Sequence, residues 1–306
     1  MNKIAICIPT YNRPEMLKKL VLSIINCDFS NSLISEVRII IIDNDASKTA
    51  ESTVDQLKEM HNHSHEINYY NYTLKGLSNV RNELFKRALE FNPDYILGID
   101  DDEYVTTDWI NQLLITINNN KGDIAIGPVI PRFENIVSPY ISYWFKYRNL
   151  SNSKKIQFFW TGNYVICVKF LLKFKLEFDM RFNTSGGEDS YFGVTALKRG
   201  AKIYWAKDAV AYETIPYKRT NLRWLVKRCY NGAANYTFIL KLEKNYFGLL
   251  KKFFISIVYL LSGIMSLVLI LFPLRWKYWG ILKISESIGG FAGLFSFQLH
   301  EYAKEN

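Results

Sequence analysis

Tyr95-Ile96-Leu97-Gly98-Ile99 runs without a break into Asp100-Asp101-Asp102-Glu103. A short uncharged stretch of this kind is a buried strand, and the acids then stand at its carboxyl end. Four adjacent carboxylates repel one another unless something positive sits among them. Mg²⁺ or Mn²⁺, held by one or two carboxylates together with substrate phosphates, is the natural partner. A solvated acidic turn is the alternative. The strand that pins the cluster to a sheet edge favours the metal.

The same arrangement recurs upstream. Lys3 to Ile8 is an apolar run that stops at Pro9 and is followed by Thr10-Tyr11-Asn12. Val37 to Ile42 is β-branched and ends at Asp43-Asn44-Asp45. Between them Leu17, Leu20, Val21, Ile24 and Ile25 have helical spacing. Residues 50–60 read as a helix and Ile67 to Tyr72 as a strand. Ser78 is placed to cap a helix through Glu90, and Thr106 or Thr107 to open one through Trp109, Leu113 and Ile117. Ile124 to Ile126 is a further buried strand. Alternating strands and helices predict an α/β fold with a Rossmann-like, mostly parallel central sheet. Ligands gather at the carboxyl ends of such strands, where three polar clusters coincide here. From about residue 128 to 216 the pattern is looser and aromatic, and it holds Trp160-Thr161-Gly162-Asn163 and Gly186-Gly187-Glu188-Asp189. A helix is expected from Asp189 to Arg199, stopped by Gly200.

Composition sets outer bounds. With 306 residues, 49% of them hydrophobic, the chain is too apolar for disorder and long enough for one large domain with an appendage. The net charge of +9 fits nucleic acid, phosphate-bearing substrates or an anionic membrane. Basic residues thicken between Lys218 and Lys252, just before a long apolar stretch, which favours a membrane surface and argues against nucleic acid. Phe253 to Phe272 carries no charge and is long enough to cross a bilayer; a buried core helix is the alternative. Ile281 to Leu299 is interrupted by Lys283 and Glu286 and reads as a second span, a re-entrant piece or an interfacial helix. Cys7, Cys27, Cys167 and Cys229 have no metal-ligand spacing and read as reduced core residues. The N-terminus lacks a signal-peptide pattern, so the first part is expected in the cytosol. His61, His63 and His65 alternate in a polar stretch and read as a solvated loop.

Glu188-Asp189 follows glycines that let the backbone approach a ligand. Spacing alone favours a helix cap; the other reading is a general base for an acceptor hydroxyl. Taken together and in order, Ile8-Pro9-Thr10-Tyr11-Asn12-Arg13-Pro14, Ile42-Asp43-Asn44-Asp45, Gly76-Leu77-Ser78-Asn79-Val80-Arg81-Asn82, the Asp100 cluster and Gly187-Glu188-Asp189 resemble glycosyltransferase family 2 with its GT-A fold. Thr161 to Asn163, and Tyr212-Glu213 followed by Pro216 and Arg219, are similar to elements of the succinoglycan-type exopolysaccharide glycosyltransferases within it. The likeness covers about residues 3–232. Each motif is weak alone; the ordered set is specific.

The resemblance implies roles. Tyr11 and Asp43 would hold a nucleotide base, with Pro9, Thr10, Asn12, Arg13, Asp45 and Asp101 beside them. Arg81 would approach the phosphates. Asp100 and Asp102 match an Asp-x-Asp pair for the divalent metal, Mn²⁺ or Mg²⁺. Asp189 matches the catalytic base, with Glu188 orienting it. Gly162, Asn163 and Gly187 would border the sugars. Trp160 stacks on a sugar or simply packs in the core. Thr220-Asn221-Leu222-Arg223-Trp224 is similar to the Gln-x-x-Arg-Trp motif of processive members, but Thr220 replaces Gln, which favours one sugar per acceptor. Arg223 and Trp224 would contact the acceptor, or lie on an amphipathic basic helix at the membrane.

The expected protein is therefore a GT-A catalytic domain at about 1–225 followed by membrane-associating helices at about 226–306. It would be an inverting enzyme on the cytosolic face of the inner membrane, moving sugar from a nucleotide diphosphate-sugar, a UDP-sugar by family habit, to a saccharide or lipid-linked saccharide in cell-surface polysaccharide synthesis. A sugar-phosphate nucleotidyltransferase needs a glycine-rich loop after the first strand, and residues 8–14 contain no glycine. A non-catalytic, membrane-tethered nucleotide-sugar-binding scaffold is opposed by the presence of Asp100, Asp102 and Asp189 together.

Overall fold

The protein is described by a computed structural model over residues 2–29, 34–60, 66–268 and 274–295. The alternating histidines lie outside them. The chain divides into two compact units: Met1–Arg132, Tyr147–Asn183 and Glu188–Thr214 form the first, and Phe133–Lys146, Thr184–Gly187 and Ile215–Asn306 the second.

The first unit begins with β1 (Asn2–Thr10), α1 (Pro14–Ile25), β2 (Ile34–Asp43), α2 (Glu51–Met60), β3 (Glu66–Asn71), α3 (Leu77–Glu90) and β4 (Tyr95–Ile99). Ile4, Ala5, Ile6 and Ile8 are all fully buried, as in a central strand covered on both faces. The chain continues through β5 (Glu103–Val105), α4 (Trp109–Asn119), β6 (Ile124–Ile126) and β7 (Val129–Phe133), and then α5 (Pro139–Ser142), which belongs to the second unit. β8 (Lys155–Ile156), β9 (Asn163–Cys167), α6 (Val168–Phe174), α7 (Glu188–Lys198), β10 (Ile203–Trp205) and β11 (Ala211–Ile215) follow. The main sheet has the order β3-β2-β1-β4-β9-β6-β10-β8, and β5-β11-β7 form a smaller one. Parallel pairing of β1 with β2 sets Thr10 opposite Asp43, and β4 lies parallel on the other side of β1. The three polar strand ends thus share one edge.

Three expectations need correction. β9 is a central strand, antiparallel to both β4 and β6, within a region whose pattern looked loop-rich. Its residues alternate poorly because both faces are covered. Ser78 is not a helix cap: α3 starts at Leu77 after Gly76, and the Ser78 hydroxyl donates to the Asp179 carbonyl at 2.8 Å. Neither Thr106 nor Thr107 opens α4, which starts at Trp109 after Asp108.

In the second unit, Asn221 caps α8 (Leu222–Leu242) by accepting from the Trp224 amide at 2.9 Å. α9 (Tyr246–Val268) and α10 (Leu274–Leu294) complete it. The expected span therefore begins earlier, and residues 269–272 lie outside the described ones. α9 is inverted relative to a core helix: it buries Lys252, Ser256, Gly263 and Ser266 and exposes Phe247, Leu250, Phe254, Val258, Leu261, Met265 and Val268 as a stripe. The mean hydropathy of its apolar window is 1.7 with 17% of that window buried, so it is long and apolar enough to cross a membrane and is not buried as a core helix is. The inner faces pack through small residues. A Cβ on Gly280 would meet Ser266 Oγ at 1.8 Å, and one on Gly289 the Tyr230 carbonyl at 2.2 Å, the close approach typical of helices in lipid. α10 runs unbroken through Lys283 and Glu286, which pair at 2.7 Å.

Candidate active site

The loop after β1 is clasped to the acidic tip after β4. Asn12 takes a left-handed φ of 51° and Pro14 opens α1, which turns Arg13 toward the tip. Its Nη1 lies 2.9 Å from Asp101 Oδ1 and 3.0 Å from Asp102 Oδ2. The Thr10 hydroxyl and the Tyr11 amide donate to the other Asp101 oxygen at 2.9 and 3.4 Å. Burial lifts the Asp101 carboxyl to about 6, against the pull of Arg13. Thr10, Tyr11, Arg13, Asp101 and Asp102 are thus brought together.

Asp43 is fully buried and its oxygens are engaged. Oδ1 accepts from the Asp45 amide at 2.9 Å, and Oδ2 from the Ala50 amide at 3.1 Å and the Tyr69 hydroxyl at 2.9 Å. Asp43 thereby shapes the loop that follows β2. Asp45, half-buried on that loop, accepts from the Ser47 amide at 3.0 Å.

Arg81 joins the two acidic motifs. It lies buried on α3, with Nη2 at 3.2 Å from Asp100 Oδ1 and Nε at 3.4 Å from Glu188 Oε1. The second contact pairs charges without hydrogen-bond alignment, because Arg81 Nε and Glu188 Oε2 are both buried without a hydrogen-bond partner. Burial opposes the arginine's charge, but Asp100 and Glu188 outweigh it and hold the guanidinium above its ordinary value. Glu188 is pushed up to about 7 by burial and then by Asp189, with Arg81 pulling the other way. Gly186 and Gly187 have φ of 75° and 90°, open to glycine at little cost. Glu188 and Asp189 are then the first residues of α7, inside its first turn, and neither is the residue before the helix. Asp189 is half-buried and accepts from the Ser190 amide at 2.6 Å.

Glu103 is the residue that the motif reading left out of the candidate site. It is buried, accepts from the Asp100 amide at 3.2 Å, and stands opposite Glu213 in the β5–β11 register. Burial first, then Asp100, Asp102 and Glu213, raise its carboxyl well above the ordinary value. A Cβ on Gly162 would lie 2.4 Å from Glu103 Oε1, so glycine makes room for this acid. The signal was present: the Thr-Gly-Asn and Tyr-Glu elements both converge on Glu103.

Asn163 is a correction. It is fully buried: Trp109 Nε1 donates to its Oδ1 at 2.8 Å, and its Nδ2 donates to the Pro128 and Ala209 carbonyls at 3.0 and 2.7 Å. It ties strands together and is not available to a sugar. Trp160 stacks on Phe158 at 5.1 Å and meets Trp205 edge-on at 5.5 Å, which is core packing. In the second unit Trp224 stacks on Phe145 at 5.7 Å, Arg223 is exposed, and Gly187 packs beside Asn235.

Among the described residues no three His, Cys, Asp or Glu side chains converge as a complete metal set. The donors nonetheless suit a hard divalent ion, which commonly takes one or two carboxylates and completes its shell with substrate phosphates and water. Asp100 is the least buried acid of the tip, and the tip holds more acids than the two arginines balance.

A family model described as "Glycosyl transferase family 2" matches residues 5–178, more than half of the chain. The chain belongs to glycosyltransferase family 2. A second model, "Glycosyl transferase family group 2", matches residues 95–291. Among curated relatives of this glycosyltransferase, the succinoglycan biosynthesis protein ExoM of Rhizobium meliloti is 26% identical over 76% of this chain and 73% of its own. A dolichyl N-acetyl-alpha-D-glucosaminyl phosphate 3-beta-D-2,3-diacetamido-2,3-dideoxy-beta-D-glucuronosyltransferase of Methanococcus voltae is 25% identical over 89% and 84%. Among solved structures, the mannosyltransferase PcManGT from Pyrobaculum calidifontis, in complex with GDP-Man and Mn²⁺, superposes with TM-score 0.66 at 13% identity over 97% of this chain and 88% of its own. S. aureus TarS 1-349 in complex with UDP gives 0.56 at 13% identity over 96% and 92%. The fold of the glycosyltransferase is GT-A, and the chain is an enzyme.

Proposed function

We propose that this glycosyltransferase transfers a sugar from a nucleotide diphosphate-sugar, a UDP-sugar, to a lipid-linked saccharide with inversion at the anomeric carbon and a divalent metal as cofactor. The observation that supports it most is Arg81, which ties Asp100 to Glu188 and so puts the acidic tip and the Glu188-Asp189 turn within one side chain's reach. Catalysis is assigned to about residues 1–225, and attachment to the inner membrane, from its cytosolic side, to 226–306. The apolar outward stripe of α9 supports that attachment. The similarity to the succinoglycan protein supports a role in cell-surface polysaccharide synthesis.

Breaking the bond between anomeric carbon and oxygen leaves negative charge on the departing diphosphate. A divalent ion, held by Asp100 and Asp102 with the donor phosphates, would neutralise that charge when bound. The β1–α1 loop (Pro9, Thr10, Tyr11, Asn12) and the loop shaped by Asp43 and Asp45 border the nucleotide. Asp189 takes the acceptor's proton as the hydroxyl attacks. Attack opposite the leaving group inverts the centre. Glu188 and Arg81 fix the turn that carries Asp189.

The test is a donor panel with membrane lipid extract as acceptor, product mass and anomeric configuration being read directly. Transfer from a UDP-sugar with inverted configuration, lowered about 10²- to 10⁴-fold by Asp189→Asn, is expected. Retained configuration, or unchanged transfer in the variant, overturns the reading.

A further inference from the structure

The second unit contains a cavity of about 360 Å³ among α8, α9 and α10, bordered by Cys229, Gly232, Tyr236, Lys252, Tyr259 and Glu286. Lys252 is 7% exposed, and among the described residues its ammonium makes no hydrogen bond or ion pair. The acid of the cavity is shared: Glu286 acts on Lys252 but is held by Lys283 at 2.7 Å, so two ammoniums face one carboxylate, and Lys283 also lies 4.0 Å from the Tyr259 ring centre. Lys252 instead lies along α10 where Gly290 has no side chain; a Cβ there would be 3.0 Å from its Cε and 3.6 Å from its Nζ. The room for the lysine is therefore built into the helix pair.

Two ammoniums against one carboxylate leave a positive charge unbalanced among apolar helices, which is costly. The charge is satisfied once an anion enters the cavity. α9 turns an apolar stripe outward, so the anion that arrives along this unit carries an apolar tail. We infer that the cavity binds the phosphate or diphosphate headgroup of a lipid, with Lys252 as its cation and Tyr236 and Tyr259 in its wall. This deepens the proposed function, since it rests on that reading's lipid-linked acceptor, but the binding event itself requires no donor chemistry. Two sources share the chemistry: an isoprenyl diphosphate that carries the acceptor sugar, and a bulk anionic phospholipid.

The experiment measures binding to the full chain in neutral detergent, using a short-chain isoprenyl diphosphate, phosphatidylglycerol and inorganic pyrophosphate as separate probes. Lys252→Met removes the cation at similar length; Lys252→Arg keeps it. Gly232→Leu adds bulk at the mouth, where nothing lies within 4 Å of an added Cβ, and carries the test if Lys252→Met does not fold. Lys252→Met and Gly232→Leu are expected to weaken lipid binding about ten- to a hundredfold, and Lys252→Arg to retain it. Preference for the isoprenyl probe assigns the site to the acceptor carrier; equal binding of phosphatidylglycerol assigns it to bulk lipid. Lys252→Met or Gly232→Leu within about twofold of the parent, or pyrophosphate competing as well as the lipids, overturns the inference. UDP-sugar hydrolysis without acceptor is measured alongside and is unchanged in these variants. Absence of transfer from every donor in the panel with lipid acceptor refutes the transferase reading while the binding result stands.

Discussion

Glu188→Gln separates two views of the charge at the centre of the site. Burial and Asp189 lift the Glu188 carboxyl from its ordinary 4.5 to about 7, although Arg81 stands 3.4 Å away. Between those values the folded protein holds a proton that the unfolded chain has released. The stability this group contributes is therefore full below pH 4.5 and lost as pH rises through 7. At 1.36 kcal/mol for each pH unit of separation, the loss is about 3 kcal/mol. Glutamine is neutral throughout and keeps that stability. In chelator, so that no divalent ion intervenes, the variant should match the parent at pH 4.5 and exceed it at pH 8 by about 3 kcal/mol, roughly 5–10 °C in melting temperature. Thermal unfolding in detergent across this pH range is the assay. If ion pairing with Arg81 dominated instead, the variant would be the less stable protein at pH 8; that result, or a difference independent of pH, refutes the reasoning.

Asn163→Ala strands the Trp109 indole and the Pro128 and Ala209 carbonyls in the core, and is expected to cost about 3 kcal/mol or more, read by urea unfolding. Gly162→Ala forces a methyl onto Glu103 Oε1 and should lower the melting temperature, read by thermal unfolding. Chelation should abolish transfer, with Mn²⁺ or Mg²⁺ restoring it; Asp102→Asn should need far more metal for the same rate, and a metal titration that superposes on the parent's contradicts the assigned ligands.

Much of the architecture was legible locally. Runs such as Ile4 to Ile8, Val37 to Ile42 and Tyr95 to Ile99 are apolar on both faces and end in polar residues, so strand identity and the functional sheet edge follow from neighbours in sequence. Helix starts were less readable. Ser78 has the chemistry of a cap, but its hydroxyl is drawn to Asp179, a hundred residues away. β9 hid in an aromatic region because a strand covered on both faces shows no alternation, and its antiparallel insertion between β4 and β6 is a property of pairing alone.

By itself the sequence determined the fold class, the acidic tip, the Glu188-Asp189 turn and the apolar helix near the C-terminus, because each is written in residues a few positions apart. Only the tertiary structure decided which polar groups are spent and which are available. Asn163 looks like a ligand in its motif and its polar atoms are taken up by buried hydrogen bonds, whereas Glu103, Arg81 and Lys252 acquire their importance from neighbours contributed by distant segments. Burial and pairing are long-range quantities, set by how strands and helices pack, and the spacing of residues along a chain does not carry them.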